Sequence, residues 1–148
     1  MTQQTINEKL IVAMGRSFQS LEKALFKHVR SAGLTPTQFI VLEMLYHKGP
    51  LTVNEIIETS FSSSGNIGVV VKNLLKAGLV DKQIDTQDRR VRKIRLTETG
   101  HARIRDYYPE HLKAIEQCFR GVTTEEKKII IILLSKLRHN FGVYNNST

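Results

Sequence analysis

The sequence predicts a mainly α-helical fold with one two-stranded β-ribbon, and three observations predict it. Apolar residues recur at helical spacing along most of the chain. Capping boxes at Thr35–Gln38, Thr52–Glu55 and Thr123–Glu126 mark helix starts. Only around residues 80–96 does the apolar period fall to two. The chain has 148 residues, 41% of them apolar, which suits one domain with a modest core and excludes a disordered chain.

The elements follow in order. Leu10, Met14, Phe18, Leu21, Leu25 and Val29 form one stripe at helical steps, predicting a helix over 6–31 that stops at Gly33. Thr35 caps the next helix, with Pro36 at its first position, and Phe39, Leu42 and Leu45 are its apolar set up to Gly49-Pro50. Thr52 opens a short helix carrying Val53, Ile56 and Ile57. Another helix is predicted over 63–77, with Ile67, Val70, Val71, Leu74 and Leu75 apolar and Gly78 as its stop. Val80, Lys82 and Ile84 then alternate, as do Ile94 and Leu96, around the polar turn Asp85–Arg90. Thr97 caps a long helix that Pro109 should kink and Gly121 should end, and a last helix runs from Thr123 to about Phe141. Helices followed by a hairpin in mid-chain make a winged helix-turn-helix.

Charge narrows the function. Lys and Arg total 22 against 14 Asp and Glu, a formal net charge of +8 and a pI near 9.8. Such a chain should meet something acidic, nucleic acid or an anionic membrane surface. The longest apolar run, Ile129–Leu134, is six residues, where a span needs about 20. The opening MTQQTINEKL has neither the basic nor the apolar region of a secretory signal. A cytoplasmic protein with no membrane partner is therefore expected. One cysteine, Cys118, closes no intrachain disulfide, and the five histidines lack metal-ligand spacing. They read as ordinary surface or helix-end residues. No nucleophile, phosphate loop or metal constellation is present, so neither an enzyme nor a cofactor is expected.

Two segments can carry the chemistry. The helix 63–77 contains no acid, and Ser62, Ser63, Ser64, Asn66, Ile67, Lys72, Asn73 and Lys76 are its candidate DNA contacts. Serine and asparagine hydrogen-bond base edges or phosphates, lysine neutralises phosphate, and small residues let a helix start approach a groove. The second segment is the ribbon. Residues 60–97 hold eight cations against three acids, and five of the cations fall within 89–95. Arg89, Arg90 and Arg92 at a narrow tip suit the electronegative minor groove. Asp88 is expected to hold an arginine in place. Double-stranded DNA is the expected partner.

The stretch SSSGNIGVVVKNLLKAGLVDKQIDTQDRRVRKIRLTETGH, residues 62–101, resembles the core of the MarR family of regulators. The marks are Leu74, Gly78-Leu79-Val80, Asp88-Arg89-Arg90, Ile94 and Leu96–Gly100. Asp85, Asp88 and Arg90 match the family's D-x-R-D-x-R wing pattern, whereas Gln87 stands where an arginine is usual. The resemblance covers nearly the whole chain. It implies one domain over 1–148, with a winged-helix lobe at 35–100 and dimerisation helices at 1–34 and 101–148. It further implies a homodimeric transcription factor, usually a repressor, whose helix 63–77 enters the major groove and whose Arg90 enters the minor groove. A small-molecule effector would bind between lobe and dimer helices, with Phe18, His28, Tyr46 and Tyr107 as candidate lining.

The termini argue for a homodimer without the resemblance. Ile129–Leu134 is apolar around the whole helix, where a solvated helix needs only a stripe. Two alternatives stay open at this level. One is an architectural DNA-binding protein without sequence preference. The other is a thiol-based regulator acting through Cys118, although residues 1–31, where the family's peroxide sensors carry their cysteine, contain none.

Overall fold

The computed structural model describes residues 2–60 and 67–145. The elements are α1 (Gln3–Leu25), α2 (Lys27–Ser31), α3 (Pro36–Lys48), α4 (Val53–Thr59), α5 (Ile67–Lys76), β1 (Val80–Ile84), β2 (Arg92–Leu96), α6 (Glu98–Cys118) and α7 (Thr124–Asn145). This is the mainly helical, two-stranded architecture that the periodicity predicts. The chain forms two compact units, Met1–Ile115 and Glu116–Thr148.

The first helix differs from expectation. The stripe predicts one helix over 6–31, but the chain leaves helical geometry at Phe26, with φ −106° and ψ 10°. The break turns Phe26 inward, edge-on to Phe39 with ring centroids 6.4 Å apart. Before it, Leu10, Met14 and Phe18 are exposed; after it, Val29 is fully buried. One stripe thus serves two environments, and the break lies where they meet.

The core of the first unit joins α2, α3, α4, α5, the ribbon and α6. Phe39, Leu42, Ile56, Leu74, Ile94 and Ile104 are its largest fully buried side chains, each contributing roughly 1.5–3 kcal/mol through burial. Pro36 and the reciprocal Thr35–Gln38 cap start α3, and a second reciprocal box, Thr52–Glu55, starts α4. The ribbon is antiparallel with Val80 opposite Leu96 and Ile84 opposite Arg92. The alternation does not foretell its tie to the lobe: Leu51 and Ile94 exchange backbone hydrogen bonds of 3.0 and 2.7 Å. Helix α6 runs through Pro109 without interruption.

Within the second unit, Gly121 turns the chain at φ 84°. Thr123 and Glu126 cap α7 reciprocally, and Lys127 lies 5.9 Å from the centre of the Phe119 ring.

Candidate nucleic-acid interface

Helix α5 buries Ile67, Val71 and Leu74, at steps of four and three, and exposes Gly68, Val69, Lys72, Asn73 and Lys76. It ends in a Schellman motif: the Leu79 amide donates to the Leu74 carbonyl and the Gly78 amide to that of Leu75, with Gly78 at φ 69°. That stop commits Leu79 and Val80 to the core and launches β1. Lys72, Asn73 and Lys76 therefore stand in solvent on a helix whose other face is locked in place. Ile67 is a correction: at 3% exposure it is a core residue, placed by the stripe that continues to Val71 and Leu74. Ser62, Ser63, Ser64 and Asn66 lie outside the described residues. Val69, 46% exposed among the polar residues, is the surface position that the apolar reading of this helix passes over.

The wing turn is built by aspartates. Asp85 Oδ1 accepts the amides of Gln87 (2.7 Å) and Asp88 (3.0 Å). Asp88 Oδ1 accepts the Arg90 amide (2.9 Å) and Nε (3.2 Å), while its Oδ2 accepts Nη2 (3.3 Å). Asp88 thus holds an arginine, and that arginine is Arg90. Arg89, Arg90 and Arg92 are exposed, and Arg92 Nη1 donates to the Arg89 carbonyl at 2.7 Å. Two ion pairs cross the ribbon, Lys93 Nζ to Asp85 Oδ2 and Arg95 Nε to Asp81 Oδ1, each at 2.6 Å. They become legible only once the register is known. The Lys93 ammonium and the two amides hold the Asp85 carboxyl down at about 2. The guanidiniums of Arg90 and Arg95 lower Asp88 and Asp81 in the same way.

Two histidines correct the surface reading. His111 is 5% exposed, and its ring centre lies 4.7 Å from that of Phe39, 6.0 Å from Phe26 and 5.4 Å from His28. Nδ1 of His111 and Nε2 of His28 are buried without a hydrogen-bond partner. The nearest charge to His111 Nε2 is Glu43 Oε1 at 3.8 Å, beyond hydrogen-bond reach. The remaining candidates are dispersed. Phe18 is exposed on α1, Tyr107 packs against the core, and Tyr46 belongs to a second ring cluster with His47, His101 and Tyr108. Cys118 ends α6, half-buried. Among the described residues no group of three or more His, Cys, Asp or Glu is placed to hold a metal ion. No described helix is long and apolar enough to cross a membrane.

Comparison with known proteins places this geometry. The MarR family profile matches residues 32–91. The HTH-type transcriptional regulator MhqR of Bacillus subtilis (strain 168) is 31% identical over 138 residues, 93% of this chain and 95% of its own. Among solved structures, reduced AbfR bound to DNA superposes with a TM-score of 0.72 at 24% identity, over 94% of this chain and 96% of that one. The organohalide-sensing regulator RdhR in its 2,4-dichlorophenol-bound form gives 0.77 at 22% identity, over 91% and 80%. An acid-free surface helix, an arginine-tipped ribbon and a full-length relative converge: the chain belongs to the MarR family of DNA-binding transcriptional regulators.

Proposed function

We propose that this protein is a cytoplasmic, homodimeric repressor that reads a pseudo-palindromic operator and releases it on binding a small ligand. The observation that carries the reading is one core holding both an acid-free exposed helix face and an arginine-tipped ribbon. In this reading Lys72 and Lys76 neutralise phosphates, Asn73 hydrogen-bonds a base edge, and Val69 meets a thymine methyl. Ser62, Ser63, Ser64 and Asn66 approach the major groove at the helix start. Arg90 enters the minor groove with Arg89 and Arg92 on the flanking backbone. Repression is the family's usual mode.

The exposed apolar surface of α7 supports the dimer: Ile129–Leu134 are all between 43% and 65% exposed in the single chain. The effector reading rests on a neighbour. RdhR has been solved with a chlorinated phenol, and a planar phenolic molecule is the ligand class to try first.

Selection of bound duplexes from a random-sequence pool, followed by competition with unlabelled random duplex, tests the reading. A regulator should prefer its selected site by about 10³-fold or more, with half-sites about 10 bp apart or a multiple of that. Equal competition by random duplex would establish an architectural binder instead.

A further inference from the structure

Gln87 stands where the family's wing pattern has an arginine, yet Asp85 is not left alone. Its partner comes from the opposite strand. Lys93 sits one residue before Ile94, the residue bonded to Leu51 of the lobe. From there a chain of short contacts leads to the tip. Lys93 Nζ holds Asp85 Oδ2 at 2.6 Å. Asp85 Oδ1 holds the amides of Gln87 and Asp88. Asp88 holds the backbone and guanidinium of Arg90. Solvent access grades along the same path. The side chains of Asp85 and Lys93 are 12% and 33% exposed, against 42% for Asp88 and 91% for Arg90. The inner link is thus the least screened by water, and the outer one is open to a ligand. Glu55, at the start of α4, also attracts Lys93, so the ammonium faces acids from both the turn and the lobe.

We propose that Lys93, with Asp85, is a positioning residue of the wing: it joins the turn to the anchored strand and acts on DNA through Arg90 rather than through a phosphate of its own. This rests on the DNA-binding reading above. Composition counts Lys93 as one of five cations near the tip. The contacts divide that count. Of the five, Lys93 and Arg95 are paired across the ribbon and Arg90 is held by Asp88, whereas Arg89 and Arg92 are exposed and, like the exposed Lys72, Lys76 and Lys82 outside the tip, form no ion pair among the described residues. The exposed group should release counterions on binding, and Lys93 should not.

The test uses the full chain and a duplex recovered by selection from a random-sequence pool, titrated over a salt series. Lys93→Ala should weaken binding about tenfold, in the range of one lost specific contact, and should lower the salt slope no more than Arg90→Ala does. Lys72→Ala, a phosphate-contact control, should lower that slope by about 0.9. In an Arg90→Ala background the Lys93→Ala effect should vanish, because the residue it positions is gone. Lys93→Arg should restore most of the affinity, since a guanidinium also holds a carboxylate. If Lys93→Ala does not fold, Asp85→Asn substitutes for it: the side-chain oxygen can still accept the turn amides while the ion pair is lost, and the same pattern is expected. A full additive loss in the Arg90→Ala background, a further slope decrease of about 0.9 in that background, or affinity equal to wild type would each overturn the proposal. Failure of the wild-type chain to bind any selected duplex in a salt-dependent way would overturn the DNA-binding reading itself, and Lys93→Ala would then have no affinity to lower.

Discussion

His28 and His111 face each other with a buried, unpartnered nitrogen on each ring. Burial lowers both from the ordinary 6.5, and the His28 ring further disfavours a charge on His111. The nearby Glu110 carboxylate opposes the shift at His28, and the Leu25 backbone opposes it weakly at His111. The folded protein therefore holds neutral imidazoles at a pH where the unfolded chain takes up protons. Stability is full above 6.5 and is lost as pH falls below it toward the depressed folded values. Burial pushes the Glu43 carboxyl the other way, above 4.5. Its contribution is present at low pH and is lost as pH rises through that elevated value. On lowering the pH from about 7.5 to about 5.5, the two histidines should outweigh Glu43 and the melting temperature should fall. His111→Phe, which keeps a ring against Phe26 and Phe39 without a titratable nitrogen, should flatten that fall. An unchanged pH profile in the variant would show that His111 does not carry it. These histidines were not legible in the sequence, because nothing in their spacing shows which rings fold inward. The wing cations were legible as a cluster. Their division into paired and exposed groups was not, since it depends on register.

At the scale of elements, helix starts and stops were the most legible features, because caps and turn glycines act locally. Thr35, Thr52 and Thr123 each make the reciprocal bonds their boxes predict. The break at Phe26 and the Leu51–Ile94 pairing escaped, since both are imposed by distant partners. The Leu96–Gly100 motif has a packing reason. Thr97 Oγ1 donates to the Gly78 carbonyl at 2.7 Å and accepts the Gly100 amide at 3.1 Å. This ties the start of α6 to the end of α5. Gly100 then lies so close that an added Cβ would run into the Leu79 carbonyl and press on Leu96. Gly100→Ala should cost about 1–3 kcal/mol through overpacking, or roughly 4–12 °C in melting temperature. A calorimetric scan checks it; a loss near zero would mean that the α5–β1 corner yields.

At the scale of the molecule, the apolar run at 129–134 was legible as a surface awaiting cover, because no single-sided burial accommodates six such residues in sequence. Its exposure in the single chain agrees. Ile6, Leu10, Ile11 and Phe18 on α1 are also between 42% and 71% exposed. Ile131→Glu combined with Leu134→Glu should shift the protein from dimer to monomer in sedimentation at micromolar concentration and remove high-affinity operator binding. A dimer that survives both substitutions would relocate the interface away from α7.

The bare isoleucine and leucine side chains of α7 have a further consequence for how the regulator is counted in a cell. If two chains must pair before either is useful, the pool of competent molecules rises as the square of the amount made whenever that amount is scarce. Halving expression would then cut the active pool fourfold, so mass action alone would sharpen the response before any signal arrives.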